Sequence, residues 1–216
     1  MRIITGDEAM NTGIFMQSRC CEQKDRHLPT VVMDNFIRRL ISPPEKKIRK
    51  FVSSGIVAAD FGCGPGYFTV PMAEMIGPAG KVYAVDSDLR SIQAVRRKAQ
   101  TRGLENIIET HVASAADANY IPSASVDFIF ANGLLCCMTD HKGAVSEIKR
   151  ILKPTGTAYL SVAKLPRRND SRAVPKEEWH QILTGFRIIE RRDGLLNRWA
   201  VVSKASPGSY STLCNI

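Results

Sequence analysis

Residues 57–86 read VAADFGCGPGYFTVPMAEMIGPAGKVYAVD, and the punctuation of that stretch decides the fold. Apolar Ile56, Val57, Ala58 and Ala59 have the length of a buried strand; Gly62, Gly64 and Gly66 form a turn, and a helical pattern opens near Phe68. A second apolar strand, Lys81 to Val85, ends on Asp86. Glycines at such a turn let the backbone approach a ligand closely, and a carboxylate at the end of the second strand accepts both hydroxyls of a ribose. The arrangement points to an adenosine compound.

The third glycine narrows the choice. A dinucleotide fingerprint, G-x-G-x-x-G, needs glycine at position 67, where this chain has Tyr67; the spacing is G-x-G-x-G instead, and no G-K-[ST] phosphate cradle follows. With Asp60 before Gly62, Gly64 and Gly66, the motif resembles that of the class I S-adenosylmethionine-dependent methyltransferases. The wording FGCGPGYFT followed by GPAGKVYAVD is similar to the branch that includes ubiquinone and menaquinone methyltransferases. The likeness continues through VDFIFAN (126–132) to RILKPTGTAYLSVAK (150–164), so it spans residues 55–164 and leaves both ends outside it.

A glycine turn with an acidic strand end also occurs in doubly wound domains that bind nothing, so the later elements matter. Asp88 is a predicted N-cap for a helix with apolar Leu89, Ile92, Val95 and Ala99 and a stop at Gly103. Strands are predicted over 107–113, 125–132 and 156–164, with a helix over 140–152 closed by Pro154. A helix over 175–184 carries Trp179, Ile182 and Leu183 on one face, and FRIIERRDG and NRWAVVSKA follow as two strands across a short turn. Alternating strands and helices demand an α/β fold, a mostly parallel sheet with helices on both faces. The resemblance adds seven strands in a single Rossmann-like domain and an antiparallel C-terminal hairpin. The expected organisation is an arm or lid over 1–30, the domain over 31–205 and an aperiodic tail over 206–216.

The resemblance also implies roles. Backbone around Gly62, Cys63, Gly64 and Gly66 faces the methionine portion of S-adenosylmethionine, and Asp60 orients its ammonium through water. Asp86 takes the ribose hydroxyls, with Ser87 and Asp88 bordering the sugar or adenine. Ser114 or Ala115 meets the adenine ring, its amino group finding an acidic partner only in Asp117. Ala131 and Asn132 form the lip beneath the methyl group. The product is S-adenosylhomocysteine. No catalytic residue is assigned, because in-line methyl displacement draws much of its acceleration from alignment. ANGLLCCM (131–138) stands where many enzymes that methylate planar amino groups carry N-P-P-Y or D-P-P-Y, which favours a small-molecule carbon, oxygen or sulfur nucleophile.

Composition is consistent with one soluble domain: 216 residues, 44% hydrophobic and 24% charged. The start, MRIITGDEAMNTGIF, has Asp7 and Glu8 where a signal peptide needs an unbroken apolar run, and six cysteines without such a signal fit a reducing compartment, so the expected location is the cytoplasm. Thirty basic against twenty-one acidic residues give +9, clustered at Arg38–Arg39, Lys46–Lys50, Arg96–Lys98, Arg167–Arg168 and Arg191–Arg192. The alternatives are an RNA or membrane footprint and solvated helix faces. Aromatics, at 7%, do not interleave with the basic runs, so a nucleic-acid partner is the less favoured reading, while DNFIRRLISPPEKKIRKFV (34–52) is a candidate amphipathic edge for peripheral membrane contact. The four histidines, at 27, 111, 141 and 180, lack metal-ligand spacing, and His141 reads as exposed in the first turn of its helix. Vicinal Cys20–Cys21 and Cys136–Cys137 leave a third alternative, a thiophilic acceptor such as arsenite, against plain packing among Leu134, Leu135 and Met138.

Overall fold

The computed structural model describes residues 43–164, 170 and 172–205. The arm with Cys20, Cys21 and His27, the start of the 34–52 edge, Arg167–Arg168 and the 206–216 tail lie outside the described residues.

Seven strands form one sheet in the order β3-β2-β1-β4-β5-β7-β6. Their ranges are β1 Val57–Phe61, β2 Lys81–Asp86, β3 Ile108–Val112, β4 Val126–Asn132, β5 Leu152–Ala163, β6 Phe186–Asp193 and β7 Asn197–Lys204. The first five pair in parallel, whereas β7 runs antiparallel to both β5 and β6. The strand order reverses between β1 and β4, and at such a switch point the loops leave the carboxyl ends in opposite directions and open a crevice.

Among the described residues five α-helices accompany the sheet: α1 Pro44–Ile48, α2 Thr69–Ile76, α3 Leu89–Arg102, α4 His141–Ile151 and α5 Lys176–Thr184. On one face Ile48, Val70, Met72, Ile76, Ile92 and Val95 pack with Ala58, Val82, Phe128 and Phe130. On the other, Ala144, Ile148, Trp179 and Leu183 pack with Ala59, Ile129, Leu160 and Val202. Strands covered on both faces read as continuous apolar runs, which is why β1, β2 and β4 stood out in the sequence. Asp88 caps α3 by accepting from the Arg90 amide at 3.1 Å, and Gly103 ends it in the left-handed region at φ 64°.

Two expectations are corrected. Pro154 does not close α4: the helix ends at Ile151, and β5 begins at Leu152. The ladder with β4 jumps from Val126↔Leu152 to Phe128↔Thr157, so Pro154 sits in an irregularity where no ladder donor is required. Leu89 does not join the apolar stripe of α3, for it is 50% exposed at the crevice edge, while Ile92, Val95 and Ala99 are buried.

Candidate active site at the carboxyl edge of the sheet

Turn and carboxylate are built as one unit. The amides of Gly62 and Cys63 both donate to the Val85 carbonyl, at 2.8 and 3.1 Å, which lashes the glycine turn to the end of β2. Asp86 completes the tie, with Oδ2 accepting from the Gly64 amide at 2.8 Å and Oδ1 from the Asp88 amide at 2.9 Å. The carboxylate is thereby oriented by backbone amides on both of its oxygens. Gly66 takes φ +86°, which strains any other residue, and a Cβ there would press on Val95 Cγ2 at 3.1 Å. Gly62 (φ +73°) keeps clear the space under Leu134, whose Cδ1 would lie 3.0 Å from an added Cβ.

Asp60 lies beneath the turn at 2% exposure, its Oδ2 accepting from Thr69 Oγ1 at 2.6 Å. Burial raises its carboxyl to about 7, opposed by the Thr69 bond and assisted by the nearby Asp86 charge. The same burial, with Asp60 and Asp86 nearby, pushes the Cys63 thiol well above its ordinary range. Cys63 is therefore a packed thiol rather than a thiolate nucleophile.

Of the other sequence candidates, Ser87 is exposed just past Asp86, and Ser114 is half-buried with Oγ accepting from the Ala116 amide at 3.2 Å. Ala115 and Ala131 are buried in the core, Ala131 completely, so neither presents a side chain to a ligand. Asp117 is exposed, and its amide donates to the Ser114 carbonyl. Asn132 ends β4, its Oδ1 accepting from Ser161 Oγ at 3.1 Å and from Lys47 Nζ at 2.5 Å. Ser161 Oγ also accepts from the Gly133 amide at 2.9 Å, which fixes the lip of β4 against β5.

Lys47 and Leu89 are the residues sequence reasoning missed. Lys47 reaches from α1 across the crevice end, its ammonium 4.8 Å from the Tyr159 ring centroid and 5.8 Å from those of Phe68 and Phe130. In the sequence it was one cation in a basic run, and its partner lies 85 positions away. Leu89, 50% exposed, and Val112, 46% exposed, add apolar surface where α3 begins and β3 ends. The available signal was only the position of Leu89, directly after the capping Asp88 and so at the very start of the helix.

His141 is corrected from exposed to buried, at 5% exposure. Its Nδ1 lies 2.7 Å from Glu178 Oε1 and its Nε2 3.0 Å from the Met138 carbonyl, so it joins α4 to α5. Cys136 Sγ donates to the Gly133 carbonyl at 3.3 Å and accepts from the Ala163 amide at 3.5 Å, between fully buried Leu135 and nearly buried Met138. Among the described residues no group of three His, Cys, Asp or Glu could hold a metal ion, and no helix is long and apolar enough to cross a membrane.

Residues 59–160 match a protein family described as a methyltransferase domain. Demethylmenaquinone methyltransferase of Geobacillus stearothermophilus is 32% identical over 108 residues, 50% of this chain and 45% of that protein. Trans-aconitate 2-methyltransferase of Azoarcus sp. (strain BH72) is 30% identical over 135 residues, 60% of this chain and 49% of that protein. The matches thus span about half the length of these relatives. Among solved structures, a SAM-dependent methyltransferase from Aquifex aeolicus superposes with TM-score 0.68 at 24% identity, covering 80% of this chain and 95% of the other, and so shares the fold.

Proposed function

We propose, from the premise that residues 59–160 form a class I S-adenosylmethionine-dependent methyltransferase domain, that the protein transfers the methyl group of that cofactor to a carbon, oxygen or sulfur nucleophile of a small molecule. The observation that carries the reading is Asp86, a carboxylate fixed at the end of the second strand, against the glycine turn, by the amides of Gly64 and Asp88. That is the geometry two vicinal ribose hydroxyls need. The cradle fits the rest of the cofactor as well: the left-handed glycines hold side chains off the turn, and exposed Leu89 offers an apolar surface to a purine. When bound, the cofactor supplies a sulfonium-activated methyl group.

This chain's own contribution is placement. Asp86 and the glycine turn hold the donor in one orientation, and the lip of Asn132, Ser161 and Lys47 lies beside the crevice where an acceptor would be aligned. Alignment is worth much of the barrier in such a displacement, so the lack of an evident general base among these residues is consistent with the reaction. A small-molecule acceptor is supported by the two relatives, named for demethylmenaquinone and trans-aconitate. The contacts of Cys136 with Gly133 and Ala163 favour packing over a thiophilic acceptor site.

The test is calorimetry with S-adenosylhomocysteine, followed by product analysis of small-molecule extracts incubated with isotope-labelled methyl donor. Saturable binding and a labelled small product are expected. No adenosyl ligand binding, or label only in RNA, defeats the proposal.

A further inference from the structure

The turn between β6 and β7 carries two leucines in the solvent, Leu195 at 91% exposure and Leu196 at 77%. It is held firmly: the Gly194 amide donates to the Asn197 carbonyl at 2.9 Å, and the Lys164 amide donates to the Leu196 carbonyl at 2.8 Å. Exposure is therefore a property of the hairpin and not of a loose end. Two large aliphatic side chains at a tip cost solvation free energy unless something apolar receives them.

The surroundings say what. Arg191 and Arg192 are exposed and successive along β6, so they point to opposite faces of the ribbon, and neither makes an ion pair among the described residues. Lys164 and Arg198 share the single Asp193 carboxylate. The apolar tip is thus bracketed by four cations against one anion.

Position along the sheet adds the third observation. Asn132 pairs with Ser161, Ser161 with Trp199, and Trp199 with Arg192, so the acceptor lip and Arg192 stand in one row across the sheet. At about 3.3 Å per residue, that row lies roughly 10 Å behind Leu195, and four strands about 4.8 Å apart put Asn132 roughly 15 Å across from Arg192. Interfacial segments bury their apolar groups about 5–10 Å into the headgroup boundary. Leucines at that depth bring the guanidinium groups to the lipid phosphates and the mouth of the crevice to the same level.

We propose that the β6–β7 turn docks the protein on an anionic lipid surface, with Leu195 and Leu196 entering the interface and Arg191 and Arg192 contacting lipid phosphates. The surface is chosen over a second copy of the chain because two such tips meeting would oppose arginine to arginine, and over RNA because leucines offer no base-stacking plane.

Sedimentation of the whole chain with vesicles, without methyl donor, makes the test independent of the methyl-transfer reading. Binding is expected to phosphatidylcholine vesicles containing about 30% phosphatidylglycerol, weakly or not at all to phosphatidylcholine alone, and is expected to fall as salt rises. Leu195→Asp with Leu196→Asp should lower the partition coefficient at least ~10-fold, and Arg191→Glu with Arg192→Glu by about the same or more, with melting temperatures unchanged because all four side chains are exposed. Leu195→Ser serves as a milder variant should the double change impair folding. No binding to anionic vesicles, or binding indifferent to the leucines, overturns the proposal. So does a dimer that the leucine variant converts to monomer in light scattering, or retention on RNA in place of vesicles.

Discussion

Asp86 ties the glycine turn to the end of β2, and the bonds that do so also fix the orientation of its carboxylate. On the function proposed above, replacing it with alanine removes charge-assisted bonds to the ribose, and S-adenosylhomocysteine affinity measured by calorimetry should drop by about 1.5–3 kcal/mol, roughly 10- to 150-fold. Asp60 yields a different test. Its folded carboxyl, raised to about 7 from 3.8 by burial, binds a proton that the unfolded chain has already released between those two values. Its stabilising contribution is therefore complete below about pH 4 and is lost as pH rises through about 7. Asp60→Asn, which retains an acceptor for Thr69, should gain on the wild type by a few kcal/mol between pH 5 and pH 8 in urea titrations; a gap that does not widen would show that Asp60 is ionised throughout. Asp86 and the glycines were legible in the sequence because backbone geometry admits few substitutes at a left-handed turn. Lys47 was not, because nothing local to KKIRK signals that one of its cations meets Asn132.

At the scale of elements, α4 and α5 are joined by a polar contact in an otherwise apolar layer. Glu178→Ala leaves a ring nitrogen of buried His141 without its partner, and unfolding free energy should fall by about 1–3 kcal/mol, read as a lower urea midpoint at constant slope. Retained stability would mean that water replaces the carboxylate. The helices were readable from their 3.6 repeat and the inner strands from continuous apolar runs, since each pattern is set by which faces are covered. The exception at Pro154 is instructive. Proline reads as a helix stop, yet β5 begins before it because the bulge opposite Val126–Phe128 needs no amide there, and a ladder irregularity leaves no trace in a single strand's pattern.

For the whole molecule, a ligand that bridges the turn after β1, the end of β2 and the lip of β4 ties together elements from both apolar layers. S-adenosylhomocysteine at a hundred times its dissociation constant should stabilise the fold by about 2.7 kcal/mol, a rise of roughly 5–11 °C in melting temperature by calorimetric scan. A shift that fails to grow with ligand concentration would indicate no specific site. The sheet and its antiparallel end followed from the sequence together with its family likeness. The charge excess alone did not tell which surface uses it, because +9 is a sum over residues whose neighbours only the fold supplies.

The antiparallel insertion of β7 between β5 and β6 also has a consequence in time. β5 pairs over Thr157–Ala163 with Asn197–Ser203, so during synthesis its outer edge waits for roughly 40 more residues, some 2–8 s at ribosomal speed, before its hydrogen-bonding partner exists. Through that interval the nascent chain presents β5 with an unpaired edge, the kind of surface on which strands of other chains can pair before the last strand closes the sheet.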